Sequence, residues 1–298
     1  MDYKKIISSK DLKFRILKAL RFVPDPAMVK LQYYLKFGKK LHLDNPVTYQ
    51  EKLQWLKLYY RKPEFTDIVD KIEAKKWVAE RIGEEYIIPT YAEWDKAEDI
   101  DLSRLPESFV LKCNHLGGSY GVYLVPDKNK FDLKSAKKLL GKGLKYSLYD
   151  SYREWPYKNV RRRIFAEQLL GVGIEDFKFF CYNGFVESVM VAYERSTGHP
   201  KFYFFDRDWK LKRYNIRGKE APDDFTMPRP ENIDKMFEIA STLSKGFPFV
   251  RVDLYNVNGR IYFGEMTFFP ASGLDEKLLV ETDDYFGTFV ELPKQTNL

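Results

Sequence analysis

The stretch Arg251-Val252-Asp253-Leu254-Tyr255-Asn256-Val257-Asn258-Gly259-Arg260-Ile261-Tyr262-Phe263-Gly264-Glu265-Met266-Thr267 reads as two strands around a turn. Side chains two apart on a strand share a face, so Arg251 goes with Asp253 and Glu265 with Thr267. All four share one face only if odd positions pair with odd. A two- or four-residue loop would split them. A three-residue loop, Val257-Asn258-Gly259, unites them and sets Arg251 opposite Glu265, with Gly259 suited to a left-handed bulge position. Two carboxylates and a hydroxyl on one face are hard oxygen donors that suit Mg²⁺, which shares its shell with phosphates. The competing reading is a solvated face with an Arg–Glu cross-strand pair. Phe263, Phe268 and Phe269 argue for burial, and a buried carboxylate pair needs a compensating cation.

Upstream, Phe177 to Tyr182 and Phe185 to Tyr193 flank Asn183-Gly184, a strong hairpin signal. Lys201 to Arg213 reads as another hairpin, and Glu231 to Lys245 as a helix before the last one. Phe109 to Cys113 and Gly121 to Val125 read as strands, as does Ile87-Ile88, with a Lys-rich helix near Asp132 to Leu144. Residues 1 to about 62 read as helical. A basic amphipathic start from Ile6 to Phe22 is broken at Pro24 and Pro26, Met28 to Phe37 stops at Gly38, and Thr48 with Glu51 resembles a capping box. In Asp70 to Gly83 the same box joins Asp70 to Glu73, Gly83 stops the helix, and Lys71 takes the first helical position. Hairpins with helices on one side imply an α+β fold rather than a parallel doubly wound sheet.

Between two of these strands lies Asn114-His115-Leu116-Gly117-Gly118-Ser119-Tyr120-Gly121. Glycines let backbone amides approach phosphate oxygens, and Lys112 adds a point charge. No helix with Gly-Lys-Ser/Thr follows, so this is neither a P-loop nor a dinucleotide fingerprint. An ordinary hairpin turn would look the same.

The 298 residues are 44% hydrophobic and 31% charged, which suits a globular protein with a core, and 16% aromatic, which favours sheet packing. Two cysteines, Cys113 and Cys181, and three histidines support neither a disulfide framework nor a structural zinc site. Cys113 reads as a free buried thiol. With no disulfide framework a reducing cytoplasm is expected; no signal-peptide core is visible, and no run approaches about 18 apolar residues, so no membrane span is expected. The net charge of +7 fits surface solubility, an acidic substrate or an anionic membrane face, on which the basic start of the chain can rest. No nucleic-acid recognition motif accompanies it.

The ordered set of these features resembles the ATP-grasp superfamily: Lys71 after Asp70, Phe-Val-Leu-Lys112 with its glycine loop, Phe165-Ala166-Glu167-Gln168-Leu169-Leu170, Arg-Val-Asp253 and Glu265-x-Thr267. Within it, Arg153-Glu154-Trp155-Pro156-Tyr157-Lys158, Asp176-Phe177-Lys178-Phe179-Phe180-Cys181-Tyr182-Asn183-Gly184 and Phe247-Pro248-Phe249-Val250-Arg251-Val252-Asp253-Leu254-Tyr255 resemble the teichuronopeptide-biosynthesis-like (TupA-like) branch, over roughly residues 30 to 290. The resemblance implies two α+β subdomains with mostly antiparallel sheets clamping ATP. A helical region at 1–65 would precede a glycine-loop subdomain at 66–162 and an adenine-slot and metal-hairpin subdomain at 163–298.

It also implies roles. Lys71 and Lys112 would bind ATP phosphates, and Gly117, Gly118, Ser119 and Gly121 would close over the triphosphate. Glu167, Gln168, Leu169 and Leu170 would line the adenine slot, Asp176 would sit near the ribose, and Lys178 near nucleotide or acceptor. Asp253 and Glu265 would hold Mg²⁺, with Thr267 standing where relatives carry a ligating Asn. Arg251 would stabilise the transferring phosphoryl group.

The implied reaction is ATP-dependent joining of a carboxylate to an amine through an acyl phosphate. The branch name points to a uronic acid or related carboxylate in bacterial capsular or cell-wall polysaccharide biosynthesis. Arg153, Lys158, Arg161, Arg162, Arg195 and Lys201 are acceptor-site candidates, or plain surface charge. The alternatives are a sugar or small-molecule kinase on the same scaffold, a sugar transferase with a nucleotide-sugar site, and a non-catalytic nucleotide-binding module.

Overall fold

The structure, a computed structural model, describes residues 10–117, 121–194, 197 and 199–294, with side chains from residue 14 onward. In chain order its elements are α1 (Lys10–Ala19), α2 (Asp25–Phe37), α3 (Tyr49–Tyr59), α4 (Glu64–Val69), α5 (Glu73–Ile82), β1 (Thr90–Trp94), β2 (Phe109–Cys113), β3 (Val122–Val125), α6 (Leu133–Gly143), α7 (Leu148–Tyr152), β4 (Ile164–Glu167), β5 (Asp176–Tyr182), β6 (Phe185–Tyr193), β7 (Lys201–Phe205), β8 (Leu211–Lys212), α8 (Ile216–Lys219), α9 (Ile233–Ser244), β9 (Val250–Val257), β10 (Arg260–Thr267) and α10 (Val280–Phe289).

The local signals that hold are those with a complete physical device. Thr48 and Glu51 form the full capping box on α3. Gly38, at φ 68°, ends α2, and Asn183-Gly184, both left-handed, turn β5 into β6. Two expectations fail. Ile87 and Ile88 lie outside the strands, and β1 begins at Thr90. The Asp70–Glu73 box is half made. Asp70 Oδ1 accepts the Ile72 and Glu73 amides, but the Glu73 carboxylate turns to Arg163, so α5 starts at Glu73 and Lys71 precedes it.

Two antiparallel sheets organise the chain, one in the order β1-β4-β2-β3 and one in the order β10-β9-β5-β6-β7-β8. The strand β4 pairs with β1 and β2, so the smaller sheet extends to Glu167 rather than ending before residue 163. Its core packs Phe109, Leu111, Ile164 and Ala166 against Ala136 and Leu140 of α6. The larger sheet is covered on both faces, which is why β5 is buried almost throughout. Phe179 meets Phe237 of α9 on one side. On the other, Phe180 and Tyr182 meet Phe249 and Phe286, with Tyr49 of α3 against the same pair. Helix α3 of the N-terminal region therefore shares this core. By the two-residue period of a strand, Asp176 and Lys178 lie on the face of Phe180 and Tyr182, beyond the edge of that aromatic cover.

Candidate active site

The hairpin β9–β10 reaches the expected odd-with-odd pairing by an unexpected route. Its turn has two residues, Asn258 and Gly259, at φ 51° and 78°, with Val257 paired to Arg260. That register alone would set Asp253 opposite Gly264. A bulge between Phe263 and Glu265 absorbs one residue, so Asp253 faces Glu265 and Arg251 faces Thr267. The three-residue loop and the Arg251–Glu265 pairing are thus corrected. Because Lys178 on β5 pairs with Asp253, one row crosses three strands: Lys178, Asp253, Glu265.

The row sets two adjacent carboxylates between cations, Lys178 at one end and Lys71 at the other, whose ammonium contacts Glu265 Oε2. Lys178 Nζ lies 2.6 Å from both Asp176 Oδ2 and Asp253 Oδ2. Arg251 grips Asp253 in a fork, Nε to Oδ1 at 2.6 Å and Nη2 to Oδ2 at 2.7 Å, and reaches Thr267 Oγ1 at 3.2 Å. Burial would raise the Glu265 carboxyl, but Lys71, Lys178 and Arg251 outweigh it and hold it well below the usual range. Burial would lower the Arg251 guanidinium and the Lys178 ammonium; the surrounding carboxylates raise both instead. Asp253 is 2% exposed, yet its two cations keep it an ion-pair partner. The cations remain reachable, since Lys71, Lys112, Lys178 and Arg251 keep 12 to 18% of side-chain exposure.

A second charge group sits at the end of the smaller sheet. Lys112 on β2 contacts Glu167 Oε1 on β4. Burial raises the Glu167 carboxyl, and Lys112 and Lys75 outweigh it and lower it. The buried Asn114 binds the two groups together. Its amide nitrogen donates to Asp70 Oδ2 at 2.7 Å and Arg161 O at 2.8 Å, while its own oxygen accepts from the Arg163 amide at 2.8 Å. Its carbonyl also accepts the Lys71 amide at 3.0 Å. Thus the residue after the Lys112 strand fixes the turn that carries Lys71.

Gln168, Leu169 and Leu170 follow Glu167 at half-buried positions, and the Gln168 amide donates to Pro89 O at 3.0 Å. At the loop after β2, Gly117 has open space around it, while Gly121, at φ 61°, backs onto Cys113 Sγ. Gly118 and Ser119 lie outside the described residues, as does Arg195 among the acceptor candidates. Cys113 is buried, which pushes its thiol up to about 12, far from the reactive range.

Arg153 is a correction. It is 1% exposed, and its guanidinium donates to the carbonyls of Asp150, Leu20 and Val23 and pairs with Asp25. It fastens α7 to the N-terminal helices and cannot meet an acceptor. Lys158 is exposed beside the Tyr149 ring. Arg161 pairs with Asp95, Arg162 with Leu144 O, and Lys201 with Glu194. The triplet Asp206-Arg207-Asp208, which a nucleotide-sugar site would draw on, forms the turn before β8, where Asp206 Oδ1 accepts the Lys210 amide.

Sequence reasoning passed over Lys75, one helical turn beyond Lys71 and buried against Glu167. It also missed a buried network in which Lys57 Nζ donates to Gln54 Oε1 and Ser272 O, while Ser272 Oγ donates to Glu154 Oε1 at 2.6 Å. Four-residue spacing was the available signal for Lys75; nothing local marked the second.

Among the described residues no group of three His, Cys, Asp or Glu side chains is placed to hold a metal ion unaided. The donor set Asp253, Glu265 and Thr267 is all hard oxygen, and its present counter-ions are mobile-chained lysines and one arginine. It fits a Mg²⁺ ion that completes its shell with phosphate oxygens. No helix among the described residues is long and apolar enough to cross a membrane.

The family described as TupA-like ATPgrasp matches residues 51–291. No curated protein matches the sequence. Among solved structures, D-alanine–D-alanine ligase from Bacillus anthracis complexed with ATP aligns at 15% identity and a TM-score of 0.43, covering 75% of this chain and 63% of that one. L-amino acid ligase from Bacillus licheniformis aligns at 15% identity and 0.46, covering 86% and 58%. N5-carboxyaminoimidazole synthetase from Staphylococcus aureus complexed with ADP aligns at 14% and 0.43, covering 92% and 60%. The chain spans less than two thirds of the length of each of these proteins.

Proposed function

Since the chain belongs to the TupA-like ATP-grasp family and has its α+β fold, we propose that it is an ATP-dependent ligase joining a carboxylate to an amine. The observation that carries this reading is the row Lys178–Asp253–Glu265–Lys71 with Arg251 beside it. Each anion there is held by a cation that a phosphate can recruit.

Lys71 and Lys112 neutralise ATP phosphate oxygens, and each leaves a carboxylate behind, Glu265 and Glu167. Asp253, Glu265 and Thr267 would hold Mg²⁺, which when bound supplies a divalent charge for the phosphate oxygens. Lys71 can therefore exchange Glu265 for phosphate without stranding a buried charge. A substrate carboxylate oxygen attacks the γ-phosphorus, the bond to ADP breaks, and Arg251 stabilises the negative charge on the transferring group. The amine then attacks the acyl carbon and loses a proton. Phosphate departs with one former carboxylate oxygen, and the amide remains. The adenine lies along Glu167 to Leu170, and the ribose near Asp176.

For the acceptor we favour a uronic acid or related carboxylate of a bacterial capsular or cell-wall polysaccharide, met at an entrance that includes Lys158. The net charge of +7 favours an anionic substrate. The reaction belongs in the cytoplasm, where ATP is supplied, and the basic N-terminal helices suit contact with an anionic inner membrane face. A screen of carboxylate and amine pairs for ADP release, with products read by mass, tests the proposal. ADP formation that needs both partners supports it. Release that depends on a hydroxyl and leaves a stable phosphoester would replace it with a kinase.

A further inference from the structure

Lys75 lies on α5, and its side chain keeps only 13% exposure. Its Nζ donates to Ile88 O at 2.8 Å, Thr90 Oγ1 at 2.6 Å and Glu167 Oε2 at 2.8 Å. An ammonium has three hydrogens, so none is left for a ligand. Lys112 differs. Among the described residues, the one acceptor of its Nζ is the other oxygen of the same carboxylate, Glu167 Oε1. Two lysines thus share one buried anion, one saturated and the other free to exchange its partner.

We propose that Lys75 is a positioning residue that frees Lys112 for the nucleotide by keeping Glu167 neutralised after Lys112 turns away. The inference rests on the ATP-binding reading of the site. Without Lys75, Lys112 would be the sole counter-ion of Glu167. Drawing it to a phosphate would strand a carboxylate whose side chain is 4% exposed, a change that opposes binding strongly. Lys75 also ties the Ile88–Thr90 segment to Glu167, next to the Gln168 amide and Pro89. A merely structural role would therefore disturb adenine as much as phosphate.

The test compares ATP and adenosine binding by calorimetry in four proteins: wild type, Lys75→Met, Glu167→Gln and the double variant. Lys75→Met should weaken ATP at least tenfold and adenosine less than threefold. In the Glu167→Gln background, where no anion waits to be stranded, the same change should alter ATP affinity less than threefold. If Lys75→Met does not fold, that background comparison alone decides. ATP affinity within threefold of wild type in Lys75→Met would overturn the proposal. So would equal loss for adenosine, or a further tenfold loss in the Glu167→Gln background, which would mean direct phosphate contact. A wild-type protein that binds no ATP would overturn the ATP-grasp site reading and this inference with it.

Discussion

Asp253 stands directly opposite Glu265 across the last hairpin, although the Asn258-Gly259 turn by itself would put Gly264 there. Asp253, Glu265 and Thr267 share a face because a single bulged residue corrects the register of a two-residue turn. A Cβ built on Gly264 would lie 3.0 Å from Asp253 O and 3.1 Å from the Tyr255 ring. Gly264→Val should push the strands apart and destabilise the protein by about 1–3 kcal/mol. Thermal unfolding measures it, and an unchanged midpoint would show that the bulge is tolerant.

Asp253→Asn and Glu265→Gln should each lower Mg²⁺-dependent ADP release by about a hundredfold or more, as loss of a charge-stabilising group does. Their stabilities should differ. Asp253 is buried between Arg251 and Lys178, so its loss removes the anion they share, leaving Lys178 only Asp176 and Arg251 only Glu265 at 3.4 Å, and should destabilise by about 3–5 kcal/mol. Glu265, at 22% side-chain exposure, should destabilise less. Denaturant titration of both variants checks the order.

Arg153→Met should unfold at a clearly lower temperature, because the carbonyls of Tyr149, Asp150, Leu20 and Val23 and the Asp25 carboxylate each lose one buried partner. Any active remainder should keep its KM for the carboxylate. Lys158→Ala should do the reverse, raising that KM while leaving the unfolding midpoint in place. Steady-state kinetics beside thermal unfolding separate the two.

Burial pushes the Glu154 carboxyl above the ordinary Glu range, against the pull of Lys57 and Ser272. A carboxyl raised in the folded state holds its proton more tightly there than in the unfolded chain. Its contribution is therefore complete at low pH and is lost as pH rises toward neutrality. Glu154→Gln should match the wild type near about pH 4 and gain on it steadily toward about pH 8, where the wild type must carry a buried anion. Denaturation midpoints across that range measure the difference, and a constant offset would contradict it.

The sequence was legible where a few adjacent residues carry the whole physical cause. Asn183-Gly184 and Thr48 with Glu51 are such cases, and each forms the expected turn or cap. Pairing parity in the last hairpin needed two facts at once, turn length and the Gly264 bulge, and only their sum showed in the spacing. Arg153 misled because its partners at Leu20 and Val23 lie far away in the chain. Lys71 fell outside its helix because Asn114 and Arg163, at the ends of β2 and β4, engage Asp70 and Glu73. The charged residues of the site could be named from motif order. Which cation sits on which carboxylate could not, since those pairs join strands and helices that meet only in the folded chain.

A ligase of this kind passes one oxygen of the substrate carboxylate to phosphate. With an amine and a uronic acid labelled with ¹⁸O in its carboxylate, the protein should release inorganic phosphate carrying one ¹⁸O for each amide formed. Phosphate free of label, or label retained in a stable phosphoester of the sugar, would contradict the ligase.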